Sequence, residues 1–395
     1  MYDLLIEDAT IIQAGRRRVA DICVTDGVIS YIGDRPAGSA RRTISAIGRF
    51  VMPGAIDASV TVSVPGSDED WESLSRAAAA GGVTTLIAQA PARDAAEVEV
   101  CEAAASRSVV SHGHWGLATP DNAEVLNALW AEGRICGTRT APDALSDAHL
   151  TQHLMSSRAP LGVHADGIES IQRLLPLLEA HSRPTHLFGL STAAETELLD
   201  PLFSRLPLTG DIAPSHLFLS METATRTDVP IHCRPPLRPE LDRRAMWTAI
   251  KRGRIHTFAS GHVPHPHPAP GSTPPAGLPG IDTLLRLLLS AVASGRMGLE
   301  EMVGMCTEAP ARIFGLAGKG RLEEGADADL VLFREGKSRK LTASELHSAA
   351  GWSPFVGRTL AEPPQLVLVG GRIVARDGKL TEECTPAAPV RYRHV

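Results

Sequence analysis

Short β-rich stretches dominate the first fifty residues of the chain. Apolar runs rich in branched side chains recur at Leu4–Ile6, Ile11–Ile12, Asp21–Val24 and Val28–Ile32. Between the last two, Asp26 and Gly27 give a strong hairpin signal, because both residue types tolerate the backbone of a tight turn. The pattern therefore predicts a small antiparallel sheet.

From Phe50 the pattern changes to an alternation of strands and helices. A helix is predicted to end at Arg76–Ala80, where Gly81 and Gly82 follow, and Val83–Gln89 is typical of a buried strand. Further helices are predicted at Ala95–Ser106 and Asn122–Glu132, and further strands at Ser108–His112, Arg134–Gly137, Leu161–His164, Thr185–Leu190, Thr209–Ile212 and Ile255–Ala259. Roughly eight such units in about 260 residues indicate a (β/α)8 barrel.

Strand-like segments return after the barrel region, at Gly320–Phe333 and Gln365–Val374. They are predicted to complete the N-terminal sheet, the alternative being two unrelated small β segments. The predicted fold class is thus α/β: a (β/α)8 TIM barrel over 51–317 with a small composite β-sandwich domain from 1–50 and 318–380. The tail, 381–395, lacks periodicity and is predicted to be disordered or to dock on a partner.

Composition excludes several classes of protein. The chain has 395 residues and a net charge of −6, which gives no reason to expect nucleic acid. Its largely apolar stretch Leu284–Val292, which includes Arg286, is too short for a membrane span. Six scattered cysteines without a C-x-x-C spacing, and acidic residues at the start of the chain, favour a cytoplasmic protein with reduced thiols.

One stretch, Val51–Gly66, carries the clearest motif. Its outline resembles the first barrel strand of dihydroorotases, cyclic-amide hydrolases of the amidohydrolase superfamily, in which the pattern is P-G-x-I-D-x-H-x-H-x-R-x-P-G. The matching residues are Pro53, Gly54, Ile56, Asp57, Pro65 and Gly66. In this motif, Asp57 more often holds the backbone at the strand than takes part in catalysis.

Partial matches to the same family follow in order along most of the chain. They lie at Ala79–Thr85, His164–Asp166, His186–Thr192, Pro214–Leu217, Arg234–Arg238, Ser260–His265 and Ser353–Gly357. So many ordered matches make the resemblance specific, although each alone is weak. The resemblance implies a barrel enzyme with metal ligands at the ends of its strands.

The residues that would carry the chemistry are replaced. The resemblance places two metal-binding histidines at Ser59 and Thr61, and the arginine that holds the substrate carboxylate at Ser63. It places a further histidine ligand at Gly189, and the aspartate that serves as ligand and general base at Gly261. Ser59, Thr61 and Ser63 alternate along the predicted strand, so their side chains are predicted to face the barrel mouth. Hydroxyls are poor zinc ligands, and glycine offers no side chain at all.

Few candidate ligands remain. His164 is the only member of the family's metal set that survives, as a residual ligand or as a packed histidine, and a catalytic zinc site needs about three protein ligands. His262, His265 and His267 could bind a metal or belong to a solvent-exposed loop. Arg139 and Arg234 could bind an anion or substrate in the old cavity, unless each pairs with a local carboxylate.

These observations predict a dihydroorotase-like protein that has lost catalysis. No cofactor is expected. In some bacteria the resembling family includes inactive chains that assemble with aspartate carbamoyltransferase, which implies a structural or regulatory role in pyrimidine biosynthesis as a homo- or hetero-oligomer. The alternative is an active cyclic-amide hydrolase with a rebuilt site, using zinc or no metal. A third hypothesis is a sensor that holds an anion through Arg139 or Arg234.

Overall fold

The structure is a computed structural model that describes residues 1–13, 15–141, 144–164, 166–224, 231–269 and 273–393. It contains a parallel barrel and a separate sheet built from both ends of the chain. Within these ranges, no helix has the length and apolar character needed to cross a membrane.

The elements follow in chain order. The first half contains β1 (Tyr2–Gln13), β2 (Arg16–Thr25), β3 (Val28–Gly33), β4 (Ala40–Ser45), β5 (Phe50–Pro53), β6 (Ala55–Val60), α1 (Trp71–Gly81), β7 (Val83–Ala92), α2 (Ala95–Ala105), β8 (Ser111–Leu117), α3 (Ala123–Ala131), β9 (Thr138–Thr140), α4 (Asp147–Ser156), β10 (Leu161–His164), α5 (Ile168–His181), β11 (Thr185–Phe188) and α6 (Ala193–Leu199). The second half contains β12 (Leu208–Ile212), α7 (Pro214–Phe218), α8 (Met221–Ala224), α9 (Glu240–Lys251), β13 (Thr257–Phe258), α10 (Leu284–Ala293), α11 (Leu299–Cys306), α12 (Glu308–Ile313), β14 (Leu330–Phe333), β15 (Ser338–Lys340), a 3-10 turn (Ala343–Glu345), β16 (Thr359–Ala361), β17 (Leu366–Val369), β18 (Arg372–Arg376) and β19 (Lys379–Leu380).

The two ends of the chain share one nine-stranded sheet. Strand β5 pairs in parallel with β1 and antiparallel with β14, so N- and C-terminal segments are hydrogen-bonded side by side. The alternative of two unrelated β segments is therefore wrong. Because Phe50–Pro53 belongs to this sheet, the first barrel strand begins at Ala55 and not at residue 51. Alternating apolar residues from both ends of the chain form the core of the nine-stranded sheet.

The barrel consists of β6 to β13 in sequential order, all parallel. A parallel bridge between Val60 and His262 joins the first strand to the segment after the last. The predicted fold class, a (β/α)8 barrel with a separate β domain, is confirmed.

Two predicted strands were placed too early, at Ser108–His112 and Arg134–Gly137. The observed β8 starts at Ser111 and contains Gly113, whereas β9 starts at Thr138, directly after Gly137. Both glycines are enclosed: a side chain at Gly113 would collide with Tyr392 and Val390, and one at Gly137 with Pro160 O and Trp115.

The C-terminal tail packs against the barrel. Ala387 N donates to Ser108 O at 2.7 Å, and Val390 N donates to His112 O at 2.8 Å. Val390 and Tyr392 join the aromatic core of the barrel beside the first residues of β8. The expectation of a disordered tail is therefore wrong for these residues, because apolar burial at this end of the barrel holds them in place.

Candidate functional site

A cavity of about 390 Å³ opens at the carboxyl ends of the barrel strands. In barrel enzymes this face carries the reacting groups, so it is the candidate site. Residues at or near the ends of seven strands contribute to its wall: Ser59, Gln89, Leu117, Thr140, His164, Phe188 and Asp211.

The position of the first family ligand is held by Ser59, whose hydroxyl accepts a hydrogen bond from Gln89 Nε2 at 2.9 Å. Strand β6 ends at Val60, so the alternation of side chains does not continue. Thr61 is instead bound through its backbone N to His262 O at 2.8 Å, and Ser63 is exposed. Among the described residues, Thr61 and Ser63 are absent from the cavity wall, so the expectation that they face the mouth is wrong.

The two glycines at the other ligand positions have a left-handed backbone. Gly189 has φ +73°, and a Cβ there would lie 2.9 Å from Cδ of Pro235. Gly261 has φ +60°. Side chains other than glycine are disfavoured at such φ values. Restoring a histidine at 189 or an aspartate at 261 would therefore require the backbone to move.

His164 lies at the end of β10 and stacks on Phe188, with ring centroids 4.6 Å apart. Its Nε2 atom is buried and has no hydrogen-bond partner in the described part of the chain. Burial, and secondly the charge of Arg139, lower the pKa of His164 to about 4. The imidazole is therefore neutral at pH 7.

Arg139 brings a cation into the same cavity. Its Nη2 atom donates to the carbonyl oxygens of Gln89 at 3.2 Å and Ala90 at 3.0 Å, while its Nε is buried without a partner among the described residues. Burial lowers the pKa of Arg139 to about 10, so the guanidinium stays charged at neutral pH. Arg234 differs, because its guanidinium forms an ion pair with the Asp166 carboxylate.

A second polar cluster closes the barrel. Asp57 is fully buried, and its carboxylate accepts hydrogen bonds from Ser260 N at 3.1 and 3.2 Å and from Ser59 N at 3.2 Å. Burial raises the pKa of Asp57 to about 6, and these hydrogen bonds oppose the shift. Asp57 thus ties β6 to the segment after β13, which is the backbone role expected from its motif.

His262 belongs to this closing cluster and not to the cavity. Its Nε2 lies 2.7 Å from Glu69 Oε1, and its Nδ1 accepts from Gly280 N at 3.2 Å. The other carboxylate oxygen of Glu69 accepts from Ser348 Oγ at 2.5 Å and Ala349 N at 2.6 Å. Burial would raise the pKa of Glu69, but the hydrogen bonds from His262, Ser348 and Ala349 oppose it and the pKa is lowered. Both ring nitrogens of His262 thus have hydrogen-bond partners in this cluster, Glu69 and Gly280 N.

The remaining loop histidines bind backbone. His265 Nε2 lies 3.2 Å from Ala276 O, and His267 Nδ1 lies 3.0 Å from Pro268 O. His267 also packs edge-on against Trp352. His262, His265 and His267 thus each serve a separate local contact and do not converge on one point.

A carboxylate on the cavity wall was missed from the sequence. Asp211 accepts from Gly189 N at 2.6 Å and lies 3.3 Å from His186 Nε2. An acidic residue inside the predicted strand Thr209–Ile212 was the available signal, because a buried carboxylate needs a partner. Gln89 and Phe188 were also missed, since nothing distinguished them from ordinary strand residues.

The donor set does not fit a catalytic zinc. The cavity wall has two imidazoles, His164 and His216, and one thiol, Cys233, and the Nε2 atom of His216 lies 3.0 Å from Pro235 O. Its carboxylates, Asp166 and Asp211, already have partners. Across the ranges that the structure describes, no three histidine, cysteine, aspartate or glutamate side chains form a group able to hold a metal ion. Zinc needs about three such ligands and an open position, so no metal-dependent step can be assigned to these residues.

Similarity to known proteins covers the whole fold. The sequence model of the amidohydrolase family matches residues 181–374. A dihydroorotase of Methanothermobacter thermautotrophicus is 30% identical, with 97% of this chain and 96% of that protein aligned. The chain belongs to the amidohydrolase family. An allantoinase of Rubrobacter xylanophilus is also 30% identical over 96% of this chain and 95% of its own length.

Solved structures of hydantoinases share this fold. The L-hydantoinase (dihydropyrimidinase) from Arthrobacter aurescens superimposes with a TM-score of 0.92 at 25% identity, covering 99% of this chain and all of that one. This chain is thus similar over nearly its whole length to dihydroorotase, allantoinase and hydantoinase relatives. The similarity defines the family, and the activity of this member has to be argued from its site.

Proposed function

We propose that this chain is a cyclic amidohydrolase homologue that does not carry out metal-dependent ring opening and acts as a structural or regulatory partner in pyrimidine biosynthesis. The observation that carries the proposal is the state of the ligand positions. Ser59 has only a hydroxyl, Thr61 lies off the cavity wall, and Gly189 and Gly261 adopt a left-handed backbone.

The pattern of retention supports the same view. Asp57 is retained and still makes the contacts that close the barrel. The glycines and apolar strands that the fold needs are also retained. A protein selected to fold and to bind a partner needs these features and does not need zinc ligands.

The proposal also includes the identity of the partner. By the resemblance, aspartate carbamoyltransferase is the candidate. It is tested by mixing the purified chain with the carbamoyltransferase of the same organism and measuring the mass of the species by sedimentation velocity. A stable hetero-oligomer is expected, and two independent species at micromolar concentration would exclude this partner.

Catalysis is tested on the purified protein. We expect substoichiometric zinc by elemental analysis, and no turnover of dihydroorotate, allantoin or hydantoin above the rate without protein. Stoichiometric zinc together with turnover would overturn the proposal. The dihydroorotase relative, assayed in parallel, shows that the conditions support hydrolysis.

A second candidate is a cyclic-amide hydrolase with a rebuilt, metal-free site. Asp211 favours it, because this carboxylate lies on the cavity wall beside the buried His186 imidazole and is a possible general base. Turnover that persists in chelator and disappears in Asp211→Asn would establish this alternative.

A further inference from the structure

Among the described residues, no carboxylate is paired with Arg139, a cation on the cavity wall. Asp166 is paired with Arg234, and Asp211 is held by Gly189 N and His186. Arg139 is bound only to two carbonyl oxygens, and its Nε is buried without a partner among the described residues. A charged guanidinium with an unused N–H can donate a charge-assisted hydrogen bond to a carboxylate.

The groups around Arg139 add polar contacts of the right kind. His164 presents a buried Nε2 without a partner in the described ranges. Ser59 accepts a hydrogen bond from Gln89, so its own hydroxyl proton remains available to a ligand. Buried polar atoms of this kind are costly unless a ligand or water satisfies them.

The shape of the cavity limits the ligand. A space of about 390 Å³ suits a single small ring with its substituents. Apolar side chains form much of the wall, among them Leu117, Phe188, Val263, Leu278 and Phe355. The ligand is therefore a small organic molecule with one anionic end.

We propose that the barrel cavity binds a small organic carboxylate without a metal, with the carboxylate paired to Arg139. This inference rests on the proposed loss of the metal site. It differs from the carboxylate site that the family resemblance implies, because that arginine is replaced by Ser63, which is exposed.

The test is isothermal titration of protein dialysed against EDTA. Orotate, a flat ring amide with a carboxylate, is compared with uracil, which has the same ring without it. We expect orotate to bind and uracil to bind at least about tenfold more weakly, because a charge-assisted pair contributes about that factor.

Variants locate the anion. Arg139→Gln is expected to weaken orotate binding about tenfold to hundredfold, and Arg139→Lys to weaken it less because the charge remains. Arg158→Gln, at an exposed arginine, is the matched control and should bind orotate like the wild type. Circular dichroism checks that each variant folds. If Arg139→Gln does not fold, the affinity of Arg139→Lys for orotate tests the role of Arg139 instead.

Three results would overturn the inference: no orotate binding by the wild type, equal affinity for orotate and uracil, or wild-type affinity in folded Arg139→Gln. If orotate binds only after zinc is added, both this inference and the proposed function fail. If orotate does not bind and the protein holds no zinc, only this inference fails.

Discussion

Two polar clusters lie at the same end of the barrel and differ in how completely their atoms are paired. Around His262 and Glu69, both ring nitrogens and both carboxylate oxygens have partners, and both side chains are buried. Around Arg139 and His164, buried nitrogens have no partner among the described residues.

This difference separates residues that hold the fold from residues that await a ligand. A fully paired buried cluster can stabilise a structure, whereas an unpaired one costs free energy that folding has to supply elsewhere. His262 and His164 both fall in motifs that resemble those of the dihydroorotases, yet only the surroundings show that the first is structural.

The largest expected effect is at the paired cluster. His262→Ala removes the imidazole donor from one oxygen of the buried Glu69 carboxylate and leaves a cavity where the ring was, which together cost about 3–5 kcal/mol of unfolding free energy. Urea denaturation measures the loss. His265→Ala, which removes one contact to a loop carbonyl, is the control and should lose much less. Equal losses in the two variants would contradict the structural role of His262.

A smaller loss is expected at the opposite end of the barrel. Val390→Ala removes buried methyl groups from the tail that packs on the barrel core, which costs about 2 kcal/mol including the cavity left behind. Val100→Ala is the control, because Val100 is exposed on a helix and alanine favours helices. If the urea concentration at the midpoint of unfolding is the same for Val390→Ala as for the wild type, the tail does not contribute to the stability of the core.

The paired cluster also predicts a pH dependence. The folded pKa of Glu69 lies below its ordinary value of 4.5, so its stabilising contribution is present above that pH and is lost as the pH falls through the lowered pKa. Glu69→Gln should therefore lose stability near neutral pH, and the difference from the wild type should shrink on acidification. A difference that stays constant with pH would show that the charge of Glu69 does not matter.

The smallest change is expected at the unpaired cluster. Arg139→Met removes a buried cation without breaking an ion pair among the described residues, so the unfolding free energy should change by less than about 1 kcal/mol. Residues kept for binding often contribute little to stability. A loss comparable to that of His262→Ala would show that Arg139 is structural and would remove the contrast between the clusters.

Much of the fold was accessible from the pattern of residues. Alternating strands and helices predicted the barrel, and Leu161–His164 was placed at its observed bounds. Errors arose where glycines lie inside strands, as at Gly113, because local propensity cannot register the packing of a distant tail. For the same reason the tail itself was misjudged, since only the finished barrel offers the surface that holds Val390 and Tyr392.

For the candidate site too, some features follow from the sequence and others only from the folded structure. Residue identity alone determined that hydroxyls and glycines stand where the family has metal ligands, because coordination chemistry depends on the side chain present. Tertiary structure alone decided which surviving groups are satisfied: it brought Glu69 to His262, Arg234 to Asp166, and no carboxylate of the described residues to Arg139. Pairing depends on distances between residues far apart in the chain, and those distances exist only after folding.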